Sequence, residues 1–117
     1  KIFILSKKIS KSIHTISSEK RKHLHLSAVI ASNFSNFCYL IAKKQLETQN
    51  LKFELLIPLI LETAKKIIKT DPKTTQTGPA KRGDKKVIKE HLEILKDDNS
   101  KKIYKLLSQN ILTEYGK

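Results

Sequence analysis

From about Glu19 to Thr48 the chain repeats apolar residues, Leu26, Ile30, Phe34, Phe37 and Ile41, at a spacing close to 3.6. That period places them along one side of a single very long α-helix. No other feature constrains the fold as much, because the remaining elements have to be arranged around a helix of this length. A serine at its start, Ser17 or Ser18, can accept a hydrogen bond from a free N–H of the first turn. Asn50 suits its end, since asparagine tolerates the left-handed conformation that closes a helix.

The other patterns are mostly helical too. Ile2, Leu5, Ile9 and Ile13 follow helical spacing, and Ile13 to Ser17 alternates as a short strand does. Phe53, Leu56, Ile57, Ile60, Leu61, Ala64, Ile67 and Ile68 form an i, i+3, i+4, i+7 stripe. Pro58 falls in the first turn of that helix, where its missing N–H costs little. Leu55 and Leu59 widen the stripe, so this helix is expected to pack on two sides. From Thr70 to Gly83 the signals are those of turns, Asp71-Pro72, Gly78-Pro79 and Gly83. The segment reads as a loop of roughly a dozen residues, a length that compact domains often reserve for function. Asp84 can cap a helix carrying Val87, Ile88, His91, Leu92 and Leu95, and Asp97-Asp98-Asn99-Ser100 breaks it. A last helix carries Ile103, Leu106, Leu107 and Ile111 and ends near Gly116. The expected fold is all-α, a helical bundle of four to five helices with one very long central helix.

Composition excludes several classes. Hydrophobic residues at 38% and charged residues at 30% are a globular rather than a disordered mixture. No consecutive apolar run approaches the ~18 residues of a membrane span, so no membrane partner is expected. The single cysteine, Cys38, leaves no internal disulfide, reads as a buried structural thiol, and fits a reducing, cytoplasmic setting. The net charge of +13 raises the question of nucleic acid, because cations that neutralise phosphates release counterions. Its distribution argues against that partner: the arginines are only Arg21 and Arg82, and the lysines are scattered as pairs with no recognition motif. The chain begins at Lys1 and contains no methionine, so it is expected to be a piece of something longer.

Two groups of residues could carry chemistry. Counted at ~100° per residue, Arg21, His25, Ser32 and Asn36 fall in one narrow sector of the long helix, with Asn33 about a quarter-turn aside. His25 could act as a general acid or base, because an unperturbed imidazole titrates near ~6.5. Asn33 or Asn36 could orient a substrate carbonyl or carboxylate. The alternative is a solvated face, which Lys43 continues. The second group is the loop Gln76-Thr77-Gly78-Pro79-Ala80-Lys81-Arg82-Gly83-Asp84, which holds two of the three glycines. Gly78 and Gly83 suit positions that need unusual φ or close approach. Arg82-Gly83-Asp84 also spells an adhesion tripeptide, which arises by chance and has no extracellular signal beside it. His23 and His25 point to different sides of a helix, and no Cys or acidic cluster completes a zinc site, so no metal is expected. His91, on the apolar face of its helix, reads as a buried, satisfied histidine. No GxGxxG or GxxxxGK[ST] stands anywhere in the chain, so it lacks the backbone cradle of a self-sufficient nucleotide enzyme.

Taken together, the run Arg21 to Phe34 (RKHLHLSAVIASNF), Pro58 to Thr63 (PLILET), Gln76 to Asp84 (QTGPAKRGD) and His91-Leu92 resemble the C-terminal helical domain of an oxidoreductase-like family, domain of unknown function 2520. The resemblance covers roughly Ser17 to Leu112, with Ser27 where an alanine is common. Members usually carry an N-terminal Rossmann domain before this one. In layout they are similar to pyrroline-5-carboxylate reductase, ketopantoate reductase and enzymes related to 6-phosphogluconate dehydrogenase. The resemblance implies that residues 1–17 are the tail of that Rossmann domain, a helix and a last strand, and that 18–117 are the helical substrate and dimerisation domain. It implies that NADP or NAD is bound mainly by a nucleotide-binding domain outside this chain, so that hydride transfer belongs to a longer protein. It gives His25 and Asn33 the catalytic roles of proton transfer and substrate orientation, on a helix facing the nicotinamide cleft. Ser32, Asn36, Thr77, Gly78, Arg82, Asp84 and His91 become substrate-binding, with Arg82 the clamp for an anionic substrate or cofactor phosphate and His91 a brace for the loop. A homodimer is implied as well. Two other readings compete: a basic helical nucleic-acid-binding domain, and a purely structural oligomerisation module.

Overall fold

A computed structural model describes residues 17–116, and among these it contains six α-helices and no strand. The fold is all-α, as the periodicity requires. The helix and strand expected within residues 1–17, and with them the Rossmann remnant, lie outside the described residues except for Ser17. The chain divides into two compact units, Lys1–Ala42 and Lys43–Lys117.

The long helix, α1, spans Ser18–Glu47, 30 residues. Ser17 caps it, its Oγ accepting from the Lys20 N–H at 3.2 Å. At the other end Asn50 adopts φ 57°, the Leu51 N–H donates to the Leu46 carbonyl at 3.0 Å, and the Asn50 N–H donates to Glu47 at 3.2 Å. That pair of bonds is a Schellman closure, and it satisfies carbonyls the helix itself leaves free. In the middle of α1, Val29–Asn33 are wound as a π-helix, with the Phe34 N–H donating to the Val29 carbonyl five residues back. Nothing in the period of apolar residues announces this turn.

A 3₁₀ turn, Phe53–Leu56, leads into α2, Ile57–Lys69, with Pro58 in its first turn. The second covered side expected for α2 is not found: Leu59 is 62% and Ile68 81% exposed. The physical reason is that, among the described residues, the main neighbours of α2 are the 3₁₀ turn and the helix that follows it.

The segment after Thr70 is not one irregular loop. Asp71 caps a one-turn helix, α3 (Pro72–Thr75), through the Lys73 N–H at 2.8 Å, and a second one-turn helix, α4, spans Pro79–Arg82. Each starts on a proline, whose fixed φ is preset for a helix and whose absent N–H would be unpaired there anyway. These two turns raise the helix number above the four or five expected. Two longer helices follow, α5 (Lys85–Ile94) and α6 (Asp98–Glu114). Asp97 caps α6, its carboxylate accepting from the backbone N–H and hydroxyl of Ser100 at 2.8 and 2.9 Å. The polar run Asp97–Ser100 therefore opens a helix rather than merely breaking one.

Within the second unit α4 lies on α5 and α6, and α5 lies on α6. The buried residues among those described are Ala80 on α4 and Ser108 on α6, both small. Small residues there allow the one-turn helix to sit close to α6 and hold the loop signature in place.

Candidate functional site

Gly78, Pro79, Gly83 and Asp84 of the TGPAKRGD segment each have a definable backbone task. Gly78 sits at φ 103°, ψ 171°, a region essentially closed to residues with a side chain. It turns the chain into α4, whose first residue is Pro79. Gly83 closes α4 in the left-handed conformation, φ 72°, ψ 26°. The Gly83 N–H donates to Ala80 at 3.1 Å and the Asp84 N–H to Pro79 at 2.8 Å, a second Schellman pair. The Asp84 carboxylate then accepts from the Val87 N–H at 3.2 Å and opens α5. Asp84, expected to bind substrate, uses Oδ1 as the cap of α5. Arg82-Gly83-Asp84 is a helix-to-helix joint, and the adhesion reading has no support in it.

That backbone course leaves an open depression of about 370 Å³ lined by Gln76, Thr77, Gly78, Lys81 and Arg82. Its side chains are mostly hydrogen-bond donors: a guanidinium, an ammonium, an amide and a hydroxyl. The Gln76 amide is turned onto the Thr77 carbonyl at 3.0 Å. The Lys81 ammonium stands 5.1 Å from the centre of the Tyr115 ring, a cation–π distance. Arg82 is exposed and, among the described residues, shows no salt bridge. The arrangement suits a carboxylate or phosphate, for which a guanidinium supplies two parallel donors. Gln76 and Lys81 were not among the expected site residues. Their only signal was their place inside the same nine-residue signature.

The C-terminal end of α6 ties down α3, the one-turn helix that precedes the depression. Lys73 on α3 pairs with Glu114 at 2.7 Å, and the Tyr115 hydroxyl donates to the Lys73 carbonyl. The hydrogen bond from Lys73 is the main cause holding the Glu114 carboxyl below its usual range, and the same bond raises the Lys73 ammonium.

His91, expected to be buried, is exposed. Its Nδ1 lies 2.7 Å from the Tyr104 hydroxyl, with the two rings edge to face at 85°. Burial pushes the Tyr104 phenol up, and a hydrogen bond with Ser108 works against that shift. His91 therefore joins α5 to α6 and braces the loop only at one remove, through the two helices on which α4 rests.

The other candidates lie on α1, in the first unit: Arg21, His25, Ser32, Asn33 and Asn36 are all exposed. Their expected grouping needs correction. The narrow sector of Arg21, His25, Ser32 and Asn36 assumed a uniform ~100° step, and the π-helical turn Val29–Asn33 interrupts that step between His25 and Asn36. Cys38 is exposed rather than buried, because the apolar side of α1 is itself uncovered: Ile30 is 54% and Phe34 57% exposed. By length and composition α1 would also be apolar enough to cross a membrane, since an 18-residue window reaches a mean hydropathy of 1.2. The polar residues spaced within it had masked this from a search for unbroken apolar runs. Among the described residues no three His, Cys, Asp or Glu side chains gather as a metal site would require.

A family model described as domain of unknown function, DUF2520, matches residues 2–111. The chain belongs to the DUF2520 family. A crystal structure from Bacteroides fragilis, described as a putative NADP oxidoreductase, shares the fold of this DUF2520 chain with a TM-score of 0.80 and 47% sequence identity. The match covers 84% of this chain and 38% of that one, so the chain spans well under half the length of its solved relative. No curated protein matches it significantly. What is shown is membership in DUF2520 and likeness to part of a protein described as an NADP oxidoreductase.

Proposed function

We propose that the chain is the C-terminal substrate-binding and dimerisation domain of an NADP- or NAD-dependent oxidoreductase whose nucleotide-binding domain lies outside these residues. The observation that carries this reading is the 47% identity to a chain described as an NADP oxidoreductase, of which the match covers only 38%. The dinucleotide, bound mainly by that other domain, would supply or accept the hydride. The side chains of this chain fit the tasks that remain. Arg82, with Thr77 and Lys81 beside it, holds the anionic group of a small-molecule substrate or a cofactor phosphate. Gly78 gives the depression its shape, and Asp84 and His91 keep the helices around it in place. On α1, His25 exchanges the proton that accompanies hydride transfer, and Asn33 orients the substrate, with Ser32 and Asn36 as further polar contacts.

The uncovered face of α1 supports the dimer. Leu26, Ile30, Phe34 and Phe37 each keep half or more of their surface in water. Full burial of such a side chain stabilises by roughly 1.5–3 kcal/mol. A second copy of the same face is the partner we assign, in keeping with a cytoplasmic enzyme. Lipid suits it poorly, because Ser27, Ser32, Asn33, Ser35 and Asn36 share the helix and each would need a partner there.

The test is made on the full-length protein. NADPH added to it should be quenched or shifted in fluorescence and should raise the melting temperature, while the 117-residue chain alone responds weakly or not at all. A folded full-length protein that ignores both NADPH and NADH overturns the reading.

A further inference from the structure

We infer that the π-helical turn Val29–Asn33 is the positioning device that brings Asn33 into line with His25, so that the two meet one extended ligand from a single edge of α1. This inference rests on the reading of His25 and Asn33 given above. In an uninterrupted α-helix, the eight residues from His25 to Asn33 leave the two side chains about 80° apart, while Ser32, seven residues on, lies within about 20° of His25. The structure departs from that geometry at one place. The Phe34 N–H donates to Val29, five residues back, where an α-helix would send it to the fourth. A turn closed that way takes in an extra residue, so side chains beyond it lag by most of one ~100° step. Asn33, the last residue of the wide turn, swings to nearly the same line as His25. Ser32 and Asn36 fall back the other way.

Neither proline nor glycine stands in Val29-Ile30-Ala31-Ser32-Asn33 to account for the widening. Wide turns of this kind recur at functional sites, where they re-aim a side chain without ending the helix. The spacing also says something of the ligand. Eight residues rise about 12 Å along the axis, too far for the imidazole and the amide to bond each other. They therefore grip a molecule at separate points, two turns apart. The ligand is elongated, with the group that exchanges a proton at one point and, at the other, a polar group that pairs with the Asn33 amide, as the carboxamide of a nicotinamide lying along the same edge would.

The experiment exchanges two neighbours in the full-length protein, Ser32→Asn with Asn33→Ser, and compares it with Asn33→Ala and His25→Ala. NADPH is the probe, read by its affinity and by the blue shift of its emission, with helical circular dichroism as the folding control. The exchanged variant should match Asn33→Ala, each losing the emission shift and binding NADPH about tenfold more weakly, the loss of one well-placed hydrogen bond. A crystal structure of the full-length protein with NADP⁺ should place His25 and Asn33 on the same wall of the cleft. An exchanged variant that behaves as wild type while Asn33→Ala is impaired overturns the inference, because the amide then works from the α-helical position. So does a cleft from which Asn33 points away, or an Asn33→Ala variant that is silent while His25→Ala is not; in both cases the functional reading survives. Silence of His25→Ala together with Arg82→Ala removes the functional reading instead.

Discussion

The long helix and the segment from Asp71 to Asp84 reach their shapes by opposite means. In α1 no single residue dictates the course over 30 positions, and the backbone is held by its own repeated bonds. In the segment nearly every turn is set by a residue with a special backbone: Pro72 and Pro79 start helices, Gly78 and Gly83 supply positive φ, Asp71 and Asp84 cap. A four-residue helix cannot sustain itself, since nucleation costs more than one turn returns. Its caps and its contact with α6 have to do so. The long helix tolerates change along its length and is sensitive in phase; the short segment is sensitive at single residues.

That contrast can be broken at a few positions. Gly78→Ala should have the largest effect, about 2–3 kcal/mol of destabilisation in denaturant unfolding, because φ 103° with ψ 171° is open to glycine alone. The added methyl would meet nothing within 4 Å, so the cost is purely one of backbone. A silent Gly78→Ala would falsify the claim that this turn is set by residue type. Gly83→Ala should cost about 1–2 kcal/mol, and Gly83→Asn distinctly less, since asparagine visits the left-handed region more readily. Thermal melts of the two side by side make that comparison. Asp84→Ala should cost about 1 kcal/mol, while Asp84→Ser retains most of the stability because a hydroxyl can also accept at the cap.

Two smaller effects sharpen the contrast. The Asp97 carboxyl is held below its ordinary value of 3.8, first by the Ser100 backbone N–H and then by the Ser100 hydroxyl. A group with a depressed folded-state pKa contributes stability above its unfolded value and loses it as the pH falls through the folded one. Acid titration followed by circular dichroism should therefore show a loss below about pH 4 that Asp97→Asn flattens. The group is exposed, so the effect is small and weakens with salt. Smallest of all is Asn50→Gly at the end of α1, expected within a few tenths of a kcal/mol of wild type because both residues accept φ 57°.

The same contrast explains what could be read from the residues beforehand. Caps at Ser17 and Asp84, the left-handed Asn50, the early Pro58 and the paired glycines were legible because each residue type has a local backbone consequence. The one-turn helices were not, because four residues leave no period to detect. The wide turn of α1 was invisible for a different reason. Val29 to Asn33 can close a bond to the fourth or the fifth residue back, and the residue pattern is the same for either. The sector drawn through Ser32 and Asn36 failed there. Cys38 and His91 were placed inside on the evidence of apolar neighbours, which marks a face but does not supply its cover. The site followed the same division: Arg82 and Thr77 could be picked from the loop, whereas the Tyr115 ring beneath Lys81 sits 34 residues away in the chain, beyond any local signal.

The joint at Asp84 also limits how this family can vary in length. One residue closes α4 with its N–H and opens α5 with its carboxylate. An insertion or deletion between Gly83 and Asp84 would separate those two duties, leaving one helix end open or shifting α5 along its own axis against α6. Relatives are free to exchange Lys81, or to lengthen the chain between α3 and α4, at little cost to this joint. A gap within the last two positions of the signature should be nearly absent among them.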